Sequence, residues 1–166
     1  MMGLDMYLSA RKHVNKIDWE KLDRSEELNY AAATIPQWTE IVNAAGLQDI
    51  ADEDDIYGVS VSVNAAYWRK VNAVHKWFVD NVQSGEDDCG EYYVSHEQLK
   101  ELLATARNAY STKDPSELPP SAGFFFGSYD IDEWYWRGIK NTIDQLAKLT
   151  ELPDFDNLSF YYQSSW

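Results

Sequence analysis

The sequence predicts a single α+β domain, residues 1–166, in which a small mixed or antiparallel sheet packs against several helices. Three observations carry that prediction. Segments that alternate apolar with polar residues open and close the chain, and segments with apolar residues every three or four positions lie between them. The order of segments shows neither a sustained strand–helix–strand rhythm nor a glycine-rich phosphate loop, which argues against a parallel α/β sheet. A length of 166 residues and a hydrophobic content of 45% are enough for one core without metals or disulfides.

The elements follow in order. Leu4, Met6 and Leu8 alternate with Asp5, Tyr7 and Ser9, so a first strand covers 4–10. From Asp18 the chain reads helical and polar. A second short helix starts near Pro36, with Trp38, Ile41 and Val42 on one face and Gly46 just past its end. Asp49 to Asp55 reads as an acidic loop. Val59, Val61 and Val63 against Ser60 and Ser62 predict a strand over 57–63, and Asn64 is placed to cap a helix over 65–83. On that helix Tyr67, Trp68, Val71, Val74, His75, Phe78, Val79 and Val82 recur at helical spacing. Tyr92 to Val94 is a short strand, and Ser95 with Gln98 forms a capping box for a helix from His96 to about Tyr110 with Leu99, Leu102, Leu103 and Ala106 inward. Pro115, Pro119 and Pro120 mark a loop, Phe124 to Phe126 a buried strand or tight turn, and Asp130 with Glu133 a second capping box. The final helix carries Tyr135, Ile139, Ile143, Leu146 and Leu149, and Leu158 to Tyr162 is the last strand. Both terminal strands are rich in large apolar residues and should share one sheet.

Charge narrows the function classes. The net charge is −14, and acids cluster: residues 18–55 hold 11 against two bases, a local charge of −9, and residues 86–166 hold 15 against six. Direct binding to nucleic-acid phosphates needs clustered Lys and Arg and is not expected. One cysteine, Cys89, cannot form an intramolecular disulfide, which fits a reducing cytoplasm. No apolar run suggests a signal peptide or a membrane span.

No motif carries a known catalytic chemistry, so the chain reads as a non-enzyme without cofactor or metal. An EF-hand loop beginning at Asp52 would need Asp or Asn where Ile56 stands and Gly where Tyr57 stands. Glu86-Asp87-Asp88 beside Cys89 has no neighbouring histidine to complete a metal set. Two candidate surfaces remain. The acids Asp49, Asp52, Glu53, Asp54, Asp55, Glu86, Asp87 and Asp88 suit the basic groove of a partner protein. Trp68, Arg69, Asn72, His75 and Lys76, read as one helix, bring rings, bases and a histidine together for an anionic small molecule. Against both stands the plainer reading of solvated acids, and of an amphipathic helix whose bases pair with surplus acids while His75 sits satisfied in the core.

Gly3-Leu4-Asp5-Met6-Tyr7-Leu8, Tyr67-Trp68-Arg69-Lys70 through His75-Lys76-Trp77-Phe78-Val79, Gly123-Phe124-Phe125-Phe126-Gly127-Ser128, Asp132-Glu133 and the terminal Phe160-Tyr161-Tyr162-Gln163-Ser164-Ser165-Trp166 resemble a family of bacteriophage and prophage proteins of uncharacterised function. The likeness runs through nearly the whole chain. It brings no activity or catalytic residue with it. What it implies is a context, the cytoplasm of a bacterial host, where small accessory phage proteins act on host machinery. The first expectation is an inhibitor of a host protein, such as a nuclease or defence component, acting through acidic surface. The alternative is a binding protein that sequesters an anionic small molecule such as a signalling nucleotide, and an enzyme or a virion role stands third.

Overall fold

The computed structural model describes residues 3–22, 30–51, 57–121 and 129–166. In chain order the regular elements are β1 (Asp5–Asn15), α1 (Pro36–Ala45), α2 (Gln48–Ala51), β2 (Gly58–Arg69), α3 (Asn72–Asn81), β3 (Glu91–Val94), α4 (His96–Thr112), α5 (Glu133–Thr150) and β4 (Ser159–Ser165), with short 3-10 turns at Pro115–Glu117 and Phe155–Asn157. The strands form one antiparallel sheet in the order β2-β1-β4-β3, so the class is α+β and the first and last strands are neighbours, as their shared patterning predicts. Contacts divide the chain into two compact units, Met1–Ala10 with Val63–Trp166, and Arg11–Ser62.

The larger unit holds the main core. Leu4 just before β1, Met6 and Leu8 on β1, and Phe160 and Tyr162 on β4 have no exposed surface, while the intervening Tyr7 and Tyr161 face the other side of the sheet. Period-two patterning thus decides which face meets the helices. β3 pairs with β4 in the register Tyr92↔Tyr162 and Val94↔Phe160. Against this face lie Val74 and Phe78 of α3, Leu99, Leu102 and Ala106 of α4, and Ile139 and Leu146 of α5. α4 starts where the sequence places it: Gln98 N donates to Ser95 Oγ at 3.1 Å and Ser95 N to Gln98 Oε1 at 2.9 Å. α5 is capped by Asp132, whose Oδ1 accepts from Tyr135 N at 3.0 Å, and not by Asp130. At the outer edge of the sheet, Gln145 of α5 bonds both backbone groups of Tyr67, accepting from its N at 2.9 Å and donating to its O at 3.1 Å.

The smaller unit is built on Trp38, Val42 and Ala51, with Val14, Ile35 and Val59 against them. α1 ends at Gly46, whose φ of 68° is the left-handed conformation that makes glycine the usual residue there. Lys16 ties the unit together, donating to Ala51 O at 2.9 Å with its ammonium 4.9 Å from the centre of the Trp38 ring. Residues 19–21 and 30–33 form turns, so the helical start expected at Asp18 is not found there, and 23–29 lie outside the described residues. Asp49 falls on α2 rather than in a loop; Asp52, Glu53, Asp54 and Asp55 lie outside the described residues, as do Phe124 to Phe126.

The helix expected over 65–83 is the main correction. β2 runs on to Arg69 and the helix begins only at Asn72, so Asn64 caps nothing. Ala66 and Trp68 are buried while Tyr67 is exposed, an alternation that the apolar spacing of 65–71 satisfies as well as a helix does. Tyr and Trp favour strands, and the break falls at Lys70, which takes φ 56° without glycine or proline to announce it. Val61 and Val63 are exposed, and of the three valines on that strand face Val59 packs, on the Trp38 cluster.

Candidate functional site

Where β2 hands over to α3, beside the first two turns of α5, the larger unit opens a cleft of about 640 Å³, within the range of small-molecule sites. Arg69, Lys70, Val71, Asn72 and Ala73 line one side; Asp130, Asp132, Trp134, Tyr135, Arg137, Gly138 and Asn141 line the other. Local backbone features shape it. At Gly138 a Cβ would lie 2.9 Å from Val71 Cγ1, so the bare helix face lets α5 come close to the junction. At Gly3 a Cβ would lie 2.8 Å from Lys70 Cε, so glycine leaves room for the lysine stem.

The charges in the cleft are unusual for this chain. Lys70 and Arg137 have no carboxylate within ion-pair distance among the described residues, although acids outnumber bases 28 to 14. Arg69 has a loose partner, its Nε 4.0 Å from Asp5 Oδ1, and that carboxylate also accepts from Tyr67 Oη. Arg137 lies over the Trp134 ring at 5.5 Å, yet Trp134 remains 73% exposed. Asn72 is buried and fixed by donation to Ser121 O at 3.1 Å. Such a set can hold an anion through two guanidinium groups and an ammonium.

Of the five residues proposed from sequence as one ring-and-base face, the cleft brings together only Arg69 and Asn72. Trp68 is on β2 and points into the core, where Nε1 donates to Thr142 Oγ1 at 3.0 Å. Lys76 pairs with Asp80 on the outside of α3. His75 is 1% exposed and, as its core reading requires, satisfied at both nitrogens: Nε2 donates to Asp87 Oδ2 at 3.0 Å and Nδ1 accepts from Tyr162 Oη at 2.7 Å. This tautomer follows from the partners, since a carboxylate only accepts. Burial, and then the Asp87 charge, push the Tyr162 hydroxyl well above its ordinary pKa, so it stays a donor.

Two of the acids at 86–88 have structural duties. Asp87 also accepts from Trp166 Nε1 at 3.1 Å, and Asp88 accepts from Gly90 N at 2.8 Å and Tyr92 Oη at 3.1 Å. Glu86, Asp88 and Asp49 are exposed, and Asp87 is half-buried. His96 Nε2 faces two carbonyls, Phe155 O at 3.1 Å and Leu158 O at 3.0 Å, so it carries the proton and anchors the start of α4.

Trp134, Arg137 and Asn141 were not singled out from sequence, and Lys70 stood out as a base of the 65–83 segment without being placed in the site. Arg137 stands 67 positions beyond Lys70, and no local pattern links them. The one usable signal was Gly138, a residue unfavourable inside a helix unless something packs closely. No family model matches the chain, and no curated protein or solved structure matches it.

Proposed function

We propose that the chain is a non-enzymatic binding protein for a small anionic ligand, held in the cleft by Arg69, Lys70 and Arg137. One observation carries the reading: in an acidic chain, Lys70 and Arg137 line the same concavity with no carboxylate partner among the described residues. Cations without a carboxylate partner attract anions from solution, and arginine grips phosphate or carboxylate through two parallel hydrogen bonds. The test is a thermal-shift and calorimetric titration with pyrophosphate, sugar phosphates and nucleoside phosphates. A ligand at a hundred times its Kd stabilises by about 2.7 kcal/mol, and the pair Lys70→Glu with Arg137→Glu should remove that gain while leaving the unliganded fold intact. Silence from the whole panel would overturn the reading.

A second reading keeps the acidic surface as the site for a basic host protein, a nuclease or defence component in a bacterial cytoplasm. Its support is the −14 net charge with Asp49, Glu86 and Asp88 exposed, while Asp87 is committed to His75 and Trp166. Such a complex should dissociate steeply between low and high salt, because exposed charges are screened over about 8–10 Å. Binding that ignores both salt and neutralisation of Asp52, Glu53, Asp54 and Asp55 would sink it.

A further inference from the structure

We infer that the ligand of the cleft is a nucleoside monophosphate, its single phosphoryl group at Arg69, Lys70 and Arg137 and its base against Trp134; this rests on the anion-binding reading above and deepens it.

Two observations select this class from among anions. The first is Trp134. It lines the cleft from the first turn of α5 and is 73% exposed, and the core cluster does not include it. Arg137 covers part of the indole at 5.5 Å, which holds ring and guanidinium in one place and leaves most of the ring surface open. A flat aromatic group would cover that surface; an inorganic anion or a sugar phosphate would not. The second is the pair of carboxylates that share the lining, Asp130 and Asp132. Asp132 is fixed by capping Tyr135 N. Three cations stand against two carboxylates in the lining, and Arg69 also faces Asp5 at 4.0 Å, so the net positive charge is at most about one, which suits one phosphoryl group and disfavours a polyphosphate. Carboxylates beside the cations also accept hydrogen bonds from hydroxyls, which a ribose supplies and pyrophosphate lacks. A volume of about 640 Å³ holds a molecule of that size.

The experiment titrates the full chain by calorimetry with six probes: pyrophosphate, ribose 5-phosphate, the 5′-monophosphates of adenosine and guanosine, and the two matching triphosphates. The monophosphates should bind about tenfold or more tightly than ribose 5-phosphate, since stacking on an aromatic side chain strengthens binding by about that factor per base, and the triphosphates should bind no more tightly than the monophosphates. Trp134→Ala should erase the tenfold difference and leave the affinity for ribose 5-phosphate unchanged. Trp134→Phe should keep most of it, which separates a stacking role from damage to the first turn of α5. If ribose 5-phosphate or pyrophosphate binds as tightly as the nucleotides, or the triphosphates bind best, the nucleoside monophosphate is wrong and the anion site stands. If no probe binds, both fall together.

Discussion

Removing one oxygen from Tyr162 should measure how firmly the Asp87 carboxylate is built into the fold. Tyr162 has no exposed surface, and its ring stacks on Phe78 at 3.9 Å between centroids and 9° between planes. Tyr162→Phe keeps that stack and deletes only the hydroxyl that donates to His75 Nδ1 at 2.7 Å. The nitrogen is left as a buried acceptor without its partner, a loss of about 1–3 kcal/mol, which in a chain of 166 residues lowers Tm by about 2–4 °C for each kcal/mol. Asp87→Ala strips the carboxylate from His75 Nε2 and Trp166 Nε1 and should cost at least as much. Because both changes act on one imidazole, the double variant should be more stable than the sum of the singles implies, by about 0.5–3 kcal/mol. Urea unfolding followed by circular dichroism, with equal m-values for all four proteins, reads the cycle. Additivity within about 0.5 kcal/mol would show that Tyr162, His75 and Asp87 do not act as one network, and would return Asp87 to the acids available for a partner.

Three further outcomes are expected. Burial, and after it the Asp114 charge, push the Tyr135 hydroxyl up to about 12, and Tyr162 is raised as well; unfolded tyrosines release their protons near pH 10 while these keep theirs, so stability should be level up to about pH 10 and then fall as pH rises, by up to about 1.4 kcal/mol per pH unit for each. Tyr135→Phe should flatten part of that slope between about pH 10 and 12 in unfolding curves, and an unchanged slope would contradict the assignment. Gly138→Ala, which in an exposed helix would stabilise by about 1 kcal/mol, should here destabilise by about 1–3 kcal/mol because the new methyl meets Val71 at 2.9 Å; adding Val71→Ala should recover much of the loss in thermal melts. Deleting Phe160 to Trp166 removes the strand between β1 and β3 and should abolish cooperative unfolding or soluble expression, so a truncated protein that melts like the full chain would refute the sheet order.

The parts of the fold that were legible in the sequence are those where one physical signal dominates. Leu4, Met6 and Leu8 have one period and one buried face, and Ser95 with Gln98 has one capping geometry, so both were placed correctly. Residues 65–71 carry a pattern compatible with two periods, and a left-handed lysine decides between them; that decision is made by packing of Trp68 beneath α5, not by local preference. The error carried into the candidate site. Once 65–69 is a strand, Trp68 turns inward, Lys76 moves away from Arg69, and the cations that do converge, Lys70 and Arg137, come from segments far apart in sequence that approach closely at Gly138. Acid clustering was easy to see in the sequence, but whether an acid is solvated or committed is a matter of neighbours: Asp87 and Asp88 look alike in the sequence, and each is held by different internal donors.

β2 is an edge strand, and edge strands expose backbone donors and acceptors to any other extended chain. At Tyr67 that invitation is withdrawn, because the Gln145 side chain is itself an amide and meets the strand with one donor and one acceptor, as another backbone would. The side chain imitates one peptide unit of a strand that is not there. A second extended chain approaching this edge of the sheet would therefore find both backbone groups of Tyr67 already paired, by the same glutamine that joins α5 to the sheet.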